Sequence, residues 1–482
     1  MNFRAVFHLI SFLPIVLGLN MLLCWGVGAY YGDSWFVQRG FALSASASLF
    51  LGGILWTSTR GTVDLNRRDG VGIVTFGWLI TTLIGAIPFL LTGAIPQLAG
   101  AWFESVSGFT TTGASVMVNL EQMPRSILLW RALTHFMGGM GILVLCVAIL
   151  PLLGSGGMQI YRAEAAGPSK DRLTPRIAST AKLLWGLYLG INALNIIALR
   201  ICGMSWFDSV CHGLATIATG GFSTRSSSIA AYNSPAIEWV LIFFMLVGGT
   251  NFALHWHLLR GKFSAYTRDS EFRLYIAIIF VATLIIALNA APALYHGTGT
   301  GVRGALFAVV SVITTTGYGT DDFALWPALS QYILLLLMLI GACAGSTAGG
   351  LKVVRVLILC KQVLRELRLF IQPQAIYRVK MGKQLVDTEI VSMIGSFFII
   401  FILVFASAGA AMLLFTPDAT TAFSSVASAL GNVGPGLGAV GPQGSYATIP
   451  AVGRVILSIC MLLGRLELYT VLVVLMPSFW RR

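Results

Sequence analysis

Stretches of about 20 mainly apolar residues, the length a helix needs to cross a bilayer core of about 30 Å, recur all along this chain. Ten are drawn from the sequence: 8–30, 37–57, 71–95, 127–150, 183–204, 236–258, 272–294, 329–362 (interrupted), 390–415 and 451–476. With 56% hydrophobic and 10% charged residues, the chain has too little polar surface to wrap these runs in water. Backbone polar groups in lipid must be satisfied within the segment, so the runs predict an all-α polytopic membrane protein. The first run is long, its charged head is thin and a second run follows closely. It therefore reads as a retained helix and not as a cleaved signal segment.

The net charge of +13 raises the question of a nucleic-acid partner, and the placement of charge answers it. With the amino terminus in the cytoplasm and sides alternating at each span, 23 of the 31 lysines and arginines fall on cytoplasmic segments, seven fall outside, and Arg465 lies within a span. That asymmetry follows the positive-inside rule and places both termini in the cytoplasm. The basic balance reports topology, and no nucleic-acid partner is expected. The seven cysteines show no CxxC pair, so neither a metal site nor a disulfide framework is implied.

Between consecutive spans, always on the outer side, four short segments occupy equivalent places: GFTTTGAS (108–115), ATIATGGF (215–222), VITTTGYG (312–319) and ALGNVGPG (429–436). Aligned on Gly113, Gly220, Gly317 and Gly434, they are separated by 107, 97 and 117 residues. Each follows about 10–14 apolar residues, too few to cross the membrane and suited to a short helix that enters and returns. The expected organisation is an N-terminal two-span hairpin (1–69) and four pore repeats (70–157, 158–262, 263–383 with a broken second helix, and 384–482). Each repeat reads helix, pore helix, filter loop, helix, and the four surround one pore.

The residue types in these loops suit one kind of chemistry. Thr315-Thr316-Gly317-Tyr318-Gly319 differs by one residue from the TVGYG loop with which potassium channels replace the hydration shell of K⁺. Carbonyls that all face inward need backbone angles that β-carbons resist and glycine permits. No loop carries Asp or Glu, which disfavours a carboxylate ring for divalent ions. The expected K⁺-binding residues are Thr111, Thr112, Gly113, Ala218, Thr219, Gly220, Thr315, Thr316, Gly317, Asn432, Val433 and Gly434, with K⁺ held only by main-chain oxygens.

Each repeat carries a second run of small residues downstream: MGGMGI (137–142), LVGGTNF (246–252), LIGACAGSTAGG (339–350) and MLLGRLE (461–467). The third interrupts its span, and ten consecutive small residues exceed what one helix contact requires. A gate is expected there, from Gly341, Gly345, Ser346, Thr347, Gly349 and Gly350, with Lys352 assisting or merely snorkelling. Arg465 is expected either to oppose cations below the filter or to hold helices together near Glu467. Glu104, Asp208, Asp321 and Asp322 lie near the outer mouth, where they either concentrate cations or, as most exposed acids do, are merely solvated. His135 and His212 read as packing or hydrogen-bonded residues and not as proton relays. Ser346 in its glycine setting has no histidine tied to it by position and HExxH is absent, so no enzyme is expected.

With the glycine loops, the interrupted third repeat and Arg465 together, the chain resembles the TrkH/TrkG/KtrB superfamily of bacterial K⁺ transporters over essentially its whole length. Its added hairpin and its size place it on the TrkH/TrkG side. The resemblance implies K⁺ uptake at the bacterial inner membrane and a homodimer with one pore per subunit. It also implies gating by a cytosolic TrkA-like partner that binds NAD(H) or ATP/ADP, docking on the 158–182 loop and the Lys352–Lys383 stretch. No cofactor is expected on this chain. A proton- or sodium-coupled symporter is the alternative, with Arg465 and Glu467 as the ionisable residues.

Overall fold

The computed structural model describes residues 1–61, 66–148, 177–294, 298–382 and 384–481. Among these, regular structure is helical apart from one short antiparallel ladder, β1 (Lys380–Met381) with β2 (Gln384–Leu385). The amino-terminal helices α1 (Phe3–Ile10) and α2 (Phe12–Tyr31) make one 29-residue span, which turns at Gly32 into α3 (Trp35–Ser58). Small residues set this hairpin's packing. A β-carbon on Gly18 would press on Leu49 and one on Gly52 on Ile15, while the Ser48 hydroxyl donates to the Pro14 carbonyl at 2.8 Å. The opposite faces expose Leu19, Leu23 and Phe50 to the lipid side.

Four repeats follow. The first comprises α4 (Arg67–Leu91), α5 (Leu98–Phe109) and α6 (Arg125–Ala148). The second comprises α7 (Ile177–Ile201), α8 (Trp206–Ile217), α9 (Pro235–Gly248) and α10 (Phe252–Leu259). After the short α11 (Ser264–Arg268), the third comprises α12 (Ser270–Leu294), α13 (Thr298–Ile313), α14 (Ala328–Ile340) and α15 (Val353–Ile371). The fourth comprises α16 (Thr388–Met412), α17 (Ala419–Gly431), α18 (Ala451–Arg465) and α19 (Leu468–Leu475), before a terminal α20 (Pro477–Trp480).

The second helix of each repeat yields a correction. A break was expected in the third repeat only. The structure also bends the second span of repeat two by 100° between α9 and α10, and that of repeat four by 114° between α18 and α19. Neither break carries a long small-residue run, and both are made by tertiary contacts. Asn251 caps α10 by accepting from the Ala253 N–H, and the Phe252 N–H donates to the Gly345 carbonyl at 3.0 Å. At the other break Glu467 takes φ 58° and pairs with Arg355 of α15 at 2.7 Å.

The helices α5, α8, α13 and α17 are 12, 12, 16 and 13 residues long, so at about 1.5 Å per residue they stop short of a full crossing. They are buried in protein, which is why they can be rich in Ser, Thr and Gly. Their hydroxyls fold back onto the preceding turn, as Thr110 to Val106, Thr216 to His212 and Thr314 to Val310, at 2.6–2.7 Å. One large apolar core joins the hairpin, repeat one and repeat four, and a second joins repeats two and three. Contact of α5 with α18 closes the ring of repeats.

Candidate functional site

Each half-helix ends in the same turn. Thr111, Thr219, Thr315 and Asn432 take left-handed φ values of 53°, 55°, 56° and 54°. The next N–H returns to the helix: Thr112 to Ser107, Gly220 to Ala215, Thr316 to Ser311 and Val433 to Ser428, at 2.8–2.9 Å. This is a Schellman-type termination that satisfies the last helical carbonyls. A second left-handed residue follows two positions later: Gly113, Gly221, Gly317 and Gly434, with φ 84°, 77°, 81° and 107°.

Those four glycines bring the loops together. A β-carbon on Gly113 would overlap the carbonyl oxygen of Gly220, one on Gly221 that of Thr316, one on Gly317 that of Val433, and one on Gly434 that of Thr112. Each loop's glycine lies against its neighbour's carbonyl, and the fourth contact returns to the first loop. The segments therefore form one closed ring about a common centre.

This ring shifts the register of repeat two by one residue. By backbone conformation the counterpart of Gly113 is Gly221, while Gly220 corresponds to Thr112 and Thr219 to Thr111. Ala218, expected among the binding residues, instead caps α8, as Thr110 caps α5. The adjacent pair Gly220-Gly221 hid the shift, because alignment on the first glycine is equally good in sequence.

Below the ring, residues 341–350 leave helical geometry, with φ of 73°, 69° and 74° at Gly341, Gly345 and Gly350. This segment touches the base of three loops. The Thr347 hydroxyl donates to the carbonyls of Ile217 (2.8 Å) and Gly248 (3.1 Å), and the Gly349 N–H donates to the Thr315 hydroxyl at 2.8 Å. A β-carbon on Gly349 would overlap the Gly431 carbonyl beside Asn432. Arg465, 3% exposed, donates through Nη1 to the Thr347 carbonyl at 2.6 Å and through Nη2 to the Gly138 carbonyl of repeat one at 3.4 Å. The guanidinium thus joins this segment to the remaining quarter of the ring. Ser346 donates to the Cys343 carbonyl within the segment's own turn. Lys352 does not snorkel outward. It takes φ 75° and its ammonium folds back onto the Ala348 carbonyl.

The other small-residue runs also lie under half-helix ends. β-Carbons on Gly138 and Gly464 would overlap the carbonyls of Phe109 and Leu430, and one on Gly248 would crowd that of Ile217. These glycines let the second spans press directly on the loops' starting points.

Two of the four expected mouth acids are buried, which is a second correction. Glu104 is 0% and Asp208 2% exposed. Glu104 forms an ion pair at 2.8 Å with Arg131, which is 2% exposed in the core. Asp208 accepts from Thr224 at 2.6 Å and Ser205 at 2.9 Å. Both acids hold the chain where it leaves a loop. The histidines pack beside them. His135 stacks on Phe222 at 4.0 Å, and His212 bonds the Asp208 carbonyl and the Ser223 hydroxyl at 2.8 and 3.0 Å. Sequence reading also missed Glu271, whose Oε1 accepts from the N–H groups of Ala344 (2.7 Å) and Val354 (3.1 Å) and so ties the 341–350 segment to α15. Its only sequence signal is an acid in the first turn of an apolar span.

Comparison with known proteins returns a consistent match. A family model described as TrkH, cation transport protein, matches residues 37–482. The chain is 41% identical over 490 residues to the Trk system potassium uptake protein TrkH of Salmonella typhimurium, covering 100% of both. It is 35% identical over 492 residues to the Trk system potassium uptake protein TrkG of Escherichia coli, covering 99% of both. Its fold is similar to the crystal structure of the potassium transporter TrkH from Vibrio parahaemolyticus, with a TM-score of 0.91, 36% identity and 100% coverage of each chain.

Proposed function

From the premise that this chain belongs to the TrkH family of cation transport proteins, which are not enzymes, we propose that it takes up potassium across the bacterial inner membrane. The ion sheds water at the carbonyls of the four loops, with Thr111, Thr219, Thr315 and Asn432 starting each filter strand and Gly113, Gly221, Gly317 and Gly434 turning it. The closed ring of glycine-on-carbonyl contacts carries this reading, because neutral dipoles converging on one axis are what replaces the water around a monovalent cation. The membrane potential supplies about 2.3 kcal/mol per charge per 100 mV, enough to drive inward accumulation without a second coupled ion.

In this reading the 341–350 segment closes the path and Arg465 holds it closed. Both termini are cytoplasmic, the subunit pairs with a second copy, and a cytosolic nucleotide-binding partner of the TrkA kind opens the gate. Along α15, Leu367, Phe370 and Ile371 are exposed beside Lys361, Arg365 and Arg368, which suits a docking surface at the cytoplasmic end. The other expected docking loop, 158–182, lies outside the described residues over 158–176. Uptake of ⁸⁶Rb⁺ by proteoliposomes holding the purified chain, with and without such a partner, tests the proposal. Saturable uptake that K⁺ inhibits and that Gly317→Ser abolishes or makes unselective is expected. Uptake indifferent to Gly317→Ser and to Gly113→Ser would remove the filter assignment.

A further inference from the structure

The ion pair of Glu104 (α5) and Arg131 (α6) is buried and densely hydrogen-bonded, and uptake as outlined above does not use it. Every oxygen of the carboxylate is engaged. Oε1 takes Arg131 Nε at 2.8 Å and the Ser115 hydroxyl at 2.9 Å, and Oε2 takes the Val116 N–H at 2.9 Å. The guanidinium's other arms donate to the Ser223 carbonyl at 3.0 Å and the Ser115 hydroxyl at 3.2 Å, and its plane lies 4.0 Å over the Phe222 ring. Ser115 lies two residues beyond Gly113, and Ser223 two beyond Gly221. One ion pair therefore grips two adjacent loops at the same level, just past their ring glycines.

The grip is not repeated around the ring. Counting seven residues back from each left-handed Thr or Asn, the position of Glu104 is held by His212, Ala308 and Ser425 in the other repeats. His212 reaches Ser223, the counterpart of Ser115, by a single bond at 3.0 Å. A buried ion pair is costly to desolvate and contributes little net stability, so its retention points to geometry that must be held. What it holds is the spacing of two carbonyl-bearing strands. A smaller cation is accommodated only if the oxygens move inward, and a forked guanidinium bonded to both strands resists that movement.

We propose that the Glu104–Arg131 pair sets cation discrimination by fixing the separation of the first and second filter loops. The proposal rests on the filter reading, and the test separates the two. In proteoliposomes, the concentrations of K⁺ and of Na⁺ that half-inhibit ⁸⁶Rb⁺ uptake are measured for the native chain, Arg131→Lys, Glu104→Asp and Gly317→Ser. Arg131→Lys keeps the charge but loses the fork, and Glu104→Asp keeps the charge but draws the carboxylate back from Val116. In each, the Na⁺-to-K⁺ ratio is expected to fall about tenfold while maximal uptake falls less. A merely structural pair would lower maximal uptake and the yield of monodisperse protein together and leave the ratio unchanged. That result in either variant that folds overturns the proposal. A ratio lost in Gly317→Ser but kept in the pair variants refutes this inference alone, whereas a ratio unmoved in all three refutes the filter itself.

Discussion

Thr111, Thr219 and Thr315 hold a backbone conformation that β-branched residues avoid, at about 1–3 kcal/mol each, and only a surrounding structure that over-determines them can keep it. At Thr315 part of that support is visible as the Gly349 N–H on its hydroxyl. The two glycines of repeat two separate by cause. A β-carbon on Gly221 would meet backbone, at Thr316, whereas one on Gly220 would meet the His135 ring. Gly221→Ala should therefore abolish selective uptake beyond rescue, while the loss in Gly220→Ala should be largely recovered by adding His135→Ala. Equal behaviour of the two in ⁸⁶Rb⁺ uptake would refute the revised register. Arg465→Ala removes both donors that pin Thr347 and Gly138. Uptake without any cytosolic partner should rise about tenfold, and an unchanged basal rate would make this a purely structural arginine. The presence of these residues was legible in sequence. Their partners were not, since the bonds join positions from 34 to 327 residues apart in the chain.

The half-helices were legible as elements, because 10–14 apolar residues cannot span a bilayer and a glycine-bearing loop follows each one. Their burial was also implied, since Ser-rich helices such as α17 have no place in lipid. The breaks were less legible. Ten small residues announce the one at 341–350, but those after Gly248 and Arg465 depend on contacts from other repeats, notably the Phe252 N–H on Gly345 and Arg355 on Glu467. Glu271 belongs to this scale, because one oxygen bonds both the 341–350 segment and the first turn of α15. Glu271→Ala should loosen that joint and raise partner-independent ⁸⁶Rb⁺ leak severalfold. Glu271→Gln, which keeps an acceptor oxygen there, should leak less. Identical leak in both, or none in either, would leave the joint without a role in closure.

At the scale of the molecule, four diverged hairpins close into one ring within a single chain. Only the third loop carries the TxGYG pattern, and the fourth replaces its central threonines with Asn432 and Val433. Fewer equivalent oxygen sites should order around the ion than in a fourfold channel, so K⁺ over Na⁺ preference is expected to be modest. Competition by Na⁺ for ⁸⁶Rb⁺ uptake measures it, and near-complete exclusion of Na⁺ would contradict the argument. The sequence by itself determined the solvent, the helical class, the fourfold repetition and the glycines, because hydropathy, chain length against bilayer thickness and the steric needs of a left-handed backbone are local properties. Only the tertiary structure decided that Gly221 completes the ring, that the second spans of repeats two and four are broken as well as the third, and that Glu104 and Arg131 are buried as a pair. Those outcomes depend on which carbonyl or charge arrives from another repeat, and no local pattern encodes that arrival.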